Sequence, residues 1–269
     1  MNLNSEDATT EKPAMELLTN LGWVVLDAFA ETDGALPELS GREQLDEVVL
    51  VKYLRPALEK LNPNVPSDVI EATITELQRD RSTMTPVSAN QEVYKLLKDG
   101  YKTTYQNDAG ESEDTTIKII DWQNSTNNSY VAFSQFWVLG RLHKRRPDIL
   151  GFINGLPLVH IELKAPGKKD SDAYNENIRD YRDTIPQIFW YNQFIIISNG
   201  TDSRVGSMTA SLDHFAEWKR INDEGETGIV SLDTTIKATC SPERVLDIIE
   251  NFVLFTVNDE GQTTKIIAK

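Results

Sequence analysis

Two apolar segments joined through Asn154-Gly155 constrain the fold of this chain more strongly than any other feature. They cover residues 148–153 and 158–163, and both are rich in Ile, Leu and Val. Apolar runs of this length around an Asn-Gly pair are typical of a β-hairpin. An acid lies at the far end of each arm, Asp148 in one and Glu162 in the other. The hairpin therefore predicts two carboxylates at one edge of a sheet.

The register of this hairpin decides whether the two carboxylates meet. A strict two-residue turn at Asn154-Gly155 places Asp148 opposite Ile161 instead of Glu162. Since side chains alternate along a strand, the two acids would then point to opposite faces of the sheet. We therefore expect a three-residue loop or a bulge at this connection, because either restores a common face.

The residues at this edge suit metal-assisted hydrolysis of a phosphodiester. On a common face, Asp148 and Glu162 predict a Mg²⁺ site, because this ion accepts one or two carboxylates and keeps several waters. The backbone carbonyl of Leu163 is a candidate further ligand. Lys164 is a candidate for orienting water or stabilising charge on the phosphate. The structural alternative is a salt bridge between Glu162 and Lys164 with Asp148 in a turn, and spacing alone does not separate the two interpretations.

The chain is acidic overall and basic around the hairpin. Its net charge is −15, which argues against a free-standing nucleic-acid binder. Residues 141–169 nevertheless carry seven Lys or Arg and two acids, so the rest of the chain carries −20. Because phosphates need neutralising partners, this basic segment favours a phosphate-bearing substrate.

The remaining pattern predicts an α/β fold: a mixed central β-sheet flanked by helices, with an additional N-terminal helical layer. Predicted helices cover 11–21, 42–61 with Pro56 kinking or dividing it, a segment capped by Ser67 that includes Ile70, Ile74 and Leu77, 91–98 ended by Gly100, 172–185 and 242–255. Predicted strands cover 101–105, 116–121, 131–139, 148–153, 158–163, 194–198 and 205–208, with an acidic, solvated connection after the first. We divide the chain into a mobile N-terminus (1–13), a helical region (14–100), a core (101–240) and a C-terminal helix and linker (241–269).

Two further polar positions flank the acids. His160 shares the face of Glu162, but no other histidine has ligand spacing with it, so we expect a partly buried polar residue. Asn177 and Tyr181 lie four residues apart and share a helix face. That face supports the strand bearing Glu162, touches DNA, or is merely solvated, and the spacing alone favours a solvated face.

Other chemistries lack their motifs. The sequence has no GxxxxGK[ST] loop for an ATP-driven motor, no GxSxG elbow and no HExxH helix. Its one cysteine, Cys240, has no internal disulfide partner and fits a reducing cytoplasm. No apolar run approaches about 18 residues, so we expect neither a membrane span nor a membrane partner.

The wider sequence resembles the N-terminal portion of the restriction (R) subunit of type I restriction-modification enzymes. The resemblance is carried by LRPALEKLNP (54–63), NQEVYKLLKDGY (90–101), IIDWQNSTNNSYVAFSQFWV (119–138) and IPQIFWYNQFIIISNGTDSRVGS (185–207), and is densest in RRPDILGFINGLPLVHIELKAP (145–166). The phrase RPDI…NGLPL…IELK is much more specific than the bare Pro-Asp and Glu-x-Lys pattern.

This resemblance implies a restriction-endonuclease-like core of the PD-(D/E)xK class that cuts double-stranded DNA with Mg²⁺. Asp148, Glu162 and Lys164 match the catalytic triplet of that class. The segment from Asn177 to Tyr181 occupies the place of its Gln-x-x-x-Tyr motif, with Asn where Gln is usual. An acid on a helix before the sheet is common in the class, and the candidate here is Glu92. The basic segment adds two candidate DNA contacts or supports, Arg146 and Lys168.

The resemblance also implies an assembly. In this family an ATP-dependent motor follows the nuclease domain, and modification and specificity subunits complete the complex. We expect ATP to act only through a motor region outside this chain, and the chain to be a fragment. Two alternatives stay open: a related nuclease of repair or recombination, and a docking module whose nuclease site is inactive in isolation.

Overall fold

The chain contains both strands and helices, as the predicted α/β class requires. The structure, a computed structural model, describes residues 7–31, 39–107, 109–222, 224–258 and 261–268. Its strands are β1 (Val24–Asp27), β2 (Tyr101–Gln106), β3 (Ser112–Ile117), β4 (Tyr130–Ser134), β5 (Val138–Leu139), β6 (Lys144–Arg145), β7 (Ile149–Ile153), β8 (Leu156–Leu163), β9 (Phe194–Ser198), β10 (Ser203–Gly206), β11 (Val253–Val257) and β12 (Thr263–Ile267). Its α-helices are α1 (Lys12–Asn20), α2 (Val51–Leu61), α3 (Ser67–Gln78), α4 (Pro86–Asp99), α5 (Asp170–Asp172), α6 (Arg179–Thr184), α7 (Ser231–Cys240) and α8 (Pro242–Asp247). A π-helical segment, Ala173–Ile178, joins α5 to α6, and we call the continuous unit the site helix.

One mixed sheet of six strands forms the centre of the fold, in the order β1-β4-β7-β8-β9-β10. Strand β7 pairs with β4 on one side and with β8 on the other, and both pairs are antiparallel. Strand β8 pairs with β9, and β1 with β4, in parallel. Every residue of β4, β7, β8 and β9 is buried. Because successive side chains point to opposite faces, complete burial means that both faces are covered. The predicted mixed central sheet flanked by helices is confirmed.

The hairpin of β7 and β8 combines a two-residue turn with a bulge. Asn154 and Gly155 both have positive φ, 50° and 78°, as a tight primed turn requires, so the predicted three-residue loop is wrong. The register shifts farther along, between Gly151 and Phe152, and leaves Leu158 as an extra residue in β8. Beyond this bulge Ile149 lies opposite Ile161, and the same register brings Asp148 opposite Glu162. The predicted bulge is present, inside the strand instead of at the turn.

The N-terminal region is helical, with two differences from the sequence patterns. Helices α1, α3 and α4 lie where the periodicity predicts them, although Ser67 begins α3 instead of capping it. The predicted helix over 42–61 begins only at Val51. Just upstream, the Leu50 N–H donates to the Gly155 carbonyl at 2.8 Å, a bond to the hairpin turn. The second difference is β1, an unpredicted strand within this region that joins the central sheet.

Other differences lie at the ends and connections. Residues 7–13, expected to be mobile, are helical, and residues 1–6 lie outside the described ranges. Strand β3 begins before the predicted strand over 116–121 and takes in part of the acidic connection, whose Asp108 is not described. Helix α7 has no counterpart among the predictions, and the predicted helix over 242–255 gives way to β11. No helix within the described ranges is long and apolar enough to cross a bilayer.

Candidate active site

The start of β7 and the end of β8 bring two carboxylates together. Asp148 is 8% exposed and Glu162 is fully buried. The Leu163 N–H donates to Asp148 Oδ2 at 2.8 Å, and the Asp148 N–H makes a long contact of 3.5 Å to Glu162 Oε2. The bulge in β8 is the cause, because it places both side chains on one face of the sheet. The carboxylate pair predicted from the spacing is therefore formed.

The Glu162 carboxylate is surrounded by polar groups in a dry environment. Its Oε1 accepts from the amide of Asn177 and lies 3.2 Å from the Tyr181 hydroxyl, and its Oε2 lies 3.0 Å from His160 Nε2. Burial raises the pKa of Glu162 to about 8, against the opposing effects of the Asp148 N–H, the Lys164 charge and the two hydrogen bonds from the helix side. The charged form of this residue thus depends on positive charge nearby.

The Lys164 ammonium is held beside the carboxylates by two contacts. It donates to Asn177 Oδ1 at 2.8 Å and pairs with Glu176 Oε2 at 3.1 Å. Its side chain is 14% exposed, so the ammonium lies at the boundary between the buried acids and solvent. Among the described carboxylates its ion-pair partner is Glu176 and not Glu162, so the Glu162–Lys164 salt bridge of the structural alternative is not formed.

The site helix turns Asn177 and Tyr181 toward the carboxylates. The Asn177 amide donates to Glu162 Oε1 and to the Tyr181 hydroxyl, while its oxygen accepts from Lys164. The Tyr181 hydroxyl also lies 3.3 Å from the Arg146 carbonyl, and burial raises the pKa of this phenol. The solvated face favoured by the spacing is wrong for these two residues. Asn177 makes its contacts from the π-helical part of the helix, a feature that often marks functional sites.

His160 is more deeply involved than its sequence context indicates. The ring is 1% exposed, stacks on Tyr181 with centroids 5.9 Å apart, and burial lowers its pKa to about 3. A neutral imidazole carries one N–H, and a hydrogen bond joins its Nε2 to the Glu162 carboxyl, with either group as the donor. Its Nδ1 has no hydrogen-bond partner among the described residues. The ring therefore fixes the orientation of the Glu162 carboxylate without bringing positive charge.

A third acidic residue, Glu11, is linked to the start of β7 and was not identified from the sequence. Gln135, in a left-handed conformation with φ 53°, donates its backbone N–H to the Asp148 carbonyl at 2.7 Å. Its side-chain amide donates to Glu11 Oε2 at 2.6 Å, and Glu11 is 6% exposed. The positive φ of a non-glycine residue marks this bend as specialised. Only long-range packing joins Glu11 to this place, so no local pattern reveals it.

The other predicted residues contact groups other than the carboxylates of Asp148 and Glu162. Glu92 is an incorrect metal candidate, because its carboxylate pairs with two guanidinium groups, those of Arg79 and Arg81, on the α3–α4 side of the molecule. Lys168 is exposed, and its backbone carbonyl accepts from the Asn199 amide. Arg146 lies next to the site, with its guanidinium between two aromatic rings.

The donor set at the hairpin fits a hard cation such as Mg²⁺. Asp148 and Glu162 supply carboxylate oxygens, and the Leu163 carbonyl follows in the same strand; oxygen ligands with one or two carboxylates are what this ion takes. Within the described ranges, no three or more His, Cys, Asp or Glu side chains cluster as a metal cage. The fully buried Glu162, whose pKa burial raises, supports the fit, because an adjacent cation offsets the cost of its charge.

Comparisons with known proteins point to restriction enzymes. The family described as type I restriction enzyme R protein N terminus matches residues 4–214. The chain is 35% identical to the type I restriction enzyme HindI endonuclease subunit of Haemophilus influenzae, over 99% of this chain and 25% of that protein. It is 26% identical to the type I restriction enzyme EcoprrI endonuclease subunit of Escherichia coli, over 96% of this chain and 76% of that protein. The chain thus spans about a quarter of the Haemophilus relative, and it belongs to the family of type I restriction enzyme R protein N-terminal regions.

Proposed function

We propose that this chain is a Mg²⁺-dependent endonuclease domain of the PD-(D/E)xK class, which hydrolyses phosphodiester bonds in double-stranded DNA. The observation that carries the proposal is the bulged hairpin, which joins Asp148 and Glu162 on one face beside Lys164. Membership in the restriction enzyme R family supports the same chemistry, since the relatives are named endonuclease subunits.

Asp148, Glu162 and the Leu163 carbonyl would hold the metal. Bound Mg²⁺ supplies Lewis-acid polarisation of the phosphoryl oxygens. The protein contributes orientation: Asn177, Tyr181 and His160 contact the Glu162 carboxylate and restrict its rotation. Because no water competes at a fully buried carboxylate, these contacts keep its oxygens aligned before DNA arrives.

Lys164 would stabilise the negative charge that builds on the phosphate. An ammonium has three donors, and the described contacts to Asn177 and Glu176 use two of them. The group is thereby held at the edge of the site with a donor left for the substrate. Such preorganised positive charge is the usual source of transition-state stabilisation in phosphoryl transfer.

The proposed partners follow from charge and family. A net charge of −15 is unfavourable for DNA binding by this chain without partners. Most of the affinity for DNA would therefore come from a motor region that uses ATP and from modification and specificity subunits. A reducing cytoplasm suits the buried free thiol of Cys240.

The test is cleavage of duplex DNA by the complete natural polypeptide with its partner subunits. We expect Mg²⁺-dependent strand breaks that Lys164→Met slows by about 100-fold or more, since one stabilising donor is worth about that factor. Lys95→Met is the matched control, because Lys95 is exposed on α4 away from the site. Equal cleavage by the Lys164 variant and the wild type would refute the proposal.

A further inference from the structure

The side chain of Arg146 lies between two aromatic rings at the rim of the site. Its guanidinium carbon is 4.9 Å from the ring centroid of Phe29 and 4.9 Å from that of Trp137. Phe29 is 55% exposed, an unusual exposure for a phenylalanine. A guanidinium carries five N–H donors, and contacts with aromatic rings leave donors for a further partner.

Hydrogen bonds hold the Trp137 ring and tie it to the backbone of Phe29. The Trp137 indole N–H donates to the Phe29 carbonyl at 3.2 Å, and the Trp137 carbonyl accepts from the guanidinium of Arg42 at 2.7 Å. Arg42 is in turn buried in an ion pair with Glu31. The position of the Trp137 ring is therefore held by groups other than Arg146.

The neighbouring arginine provides a direct contrast. Arg145 forms an ion pair with Asp180, so its charge is already balanced. No carboxylate within the described ranges pairs with the Arg146 guanidinium. Two adjacent residues thus carry the same group in different electrostatic states, and only Arg146 keeps an unbalanced positive charge. In a chain of net charge −15, an unbalanced positive charge at this place indicates a site for an anion.

The backbone ties Arg146 to the carboxylates. Its carbonyl lies 3.3 Å from the Tyr181 hydroxyl, the same hydroxyl that contacts Glu162. Asp148 is two residues farther along, and the intervening Pro147 carbonyl accepts from the Phe136 N–H at 3.2 Å. The backbone from which the Arg146 side chain extends is therefore held beside the carboxylate site, two residues from Asp148.

We propose that Arg146 binds the DNA backbone through the phosphate that neighbours the one undergoing cleavage. A planar guanidinium matches a phosphate in a two-point contact, whereas a lysine binds it only as a point charge. This inference rests on the proposed nuclease function, because it takes a phosphodiester strand as the ligand. Arg146 is a binding residue here, and the chemistry stays with the carboxylates and Lys164.

The experiment measures how salt affects the concentration of duplex DNA that gives half the maximal single-turnover cleavage rate. The complete natural polypeptide with its partner subunits is compared with Arg146→Gln, Arg146→Lys and the control Arg145→Gln, between about 50 and 200 mM salt. Each phosphate contact contributes about 0.9 to the slope of log affinity against log salt, so Arg146→Gln should lower that slope by about one. The same variant should raise the DNA concentration at half-maximal rate about tenfold, as loss of a charged hydrogen bond does.

The controls separate a phosphate contact from a packing role. Arg146→Lys keeps the charge and should restore most of the slope, while Arg145→Gln should match the wild type. An unchanged slope in Arg146→Gln, in a protein whose wild type cleaves, would overturn the phosphate contact and leave the proposed function intact. A slope lowered equally in Arg146→Lys and Arg146→Gln would also overturn it, because that result reports packing between the rings. A wild type that does not cleave duplex DNA would overturn the proposed function itself.

Discussion

The buried carboxylate of Glu162 needs positive charge from outside the chain to be stable in its ionised form. Burial raises its pKa to about 8, although four groups of the protein lower it. The nearest lysine is shared with Glu176 and Asn177 and so does not neutralise it fully. A divalent cation beside Glu162 would remove this cost, which means that metal binding and folding stability should be coupled.

The first prediction follows from this coupling. In the absence of DNA, saturating Mg²⁺ should raise the midpoint of thermal unfolding of the wild type, and Glu162→Gln should lose most of this shift. At about 100-fold excess over its dissociation constant a ligand stabilises by about 2.7 kcal/mol, or roughly 5–10 °C for a chain of this size. Glu176→Gln is the control, because Glu176 contacts Lys164 but is exposed. The same shift in both variants would show that Mg²⁺ binds elsewhere.

Single residues were predictable where a local rule applied and not where long-range packing decides. Asp148, Glu162 and Lys164 stand out because strand alternation and spacing put them together. His160 was expected to be partly buried, and only the packed rings of Tyr181 and Phe189 explain its full burial. Glu92 was a wrong candidate because its guanidinium partners lie 11 and 13 residues away in sequence and no pattern reveals them.

Among the elements, the hairpin of β7 and β8 decides the geometry of the site. Its turn is held tightly: the Asn154 amide donates to the Ile119 carbonyl and to Asn128 Oδ1, both at 2.8 Å. Gly155 lies against the backbone where α2 begins, and a Cβ at this position would be 2.5 Å from the Leu50 carbonyl oxygen. The turn therefore anchors the hairpin to the helical region as well as reversing the chain.

The second prediction tests this anchor with a pair of glycines. Gly155 and Gly110 have nearly the same φ, 78° and 77°, but an added Cβ at Gly110 meets nothing within 4 Å. Both alanine variants carry the same left-handed strain, and Gly155→Ala adds a steric clash. Gly155→Ala should therefore lower the free energy of unfolding by about 1–3 kcal/mol more than Gly110→Ala does. Urea unfolding measures the difference. Equal losses for the two variants would mean that the turn is not packed against α2 as described.

The element patterns explain most of the sheet and fail at particular contacts. The bulge was expected because the two acids must share a face, and its position at Leu158 follows from the register. The predicted helix over 42–61 loses its first half because a backbone donor bonds to the hairpin turn. Helix α7 was not predicted because half of its ten residues are Ser, Thr or Asp, which are weak helix formers and give no apolar pattern.

At the scale of the whole molecule, the hairpin of β11 and β12 is tied into the core by one buried lysine. Lys265 is 2% exposed, and its ammonium donates to Asn90 Oδ1, the Asn192 carbonyl and Gln193 Oε1 at 2.7–2.8 Å. Gln193 in turn donates its backbone N–H to the carbonyl of Leu158, the bulge residue, at 2.6 Å. The C-terminal part of the described chain is thereby linked to the strand that carries Glu162.

The third prediction concerns pH. Burial lowers the pKa of Lys265 well below its usual value near 10.5. Between the folded and unfolded pKa values the unfolded chain holds more protons, so the contribution of Lys265 to the unfolding free energy rises with pH. The stability of the wild type relative to Lys265→Met should therefore increase from pH 7 toward pH 10, by at most about 1.4 kcal/mol per unit. Chemical unfolding at several pH values measures it. A difference that is constant with pH would contradict the prediction.

The central claim is that Asp148 and Glu162 serve phosphodiester cleavage and not the stability of the fold. The most direct test is the single-turnover rate of duplex DNA cleavage with Mg²⁺ in the complete natural polypeptide and its partner subunits, beside thermal unfolding of the same variants. Asp148→Asn and Glu162→Gln should each slow cleavage by about 100-fold or more while unfolding stays cooperative, and the control Glu59→Gln, at an exposed position of α2, should stay within a few-fold of the wild type. Cleavage at the wild-type rate by either of the two site variants would contradict the account.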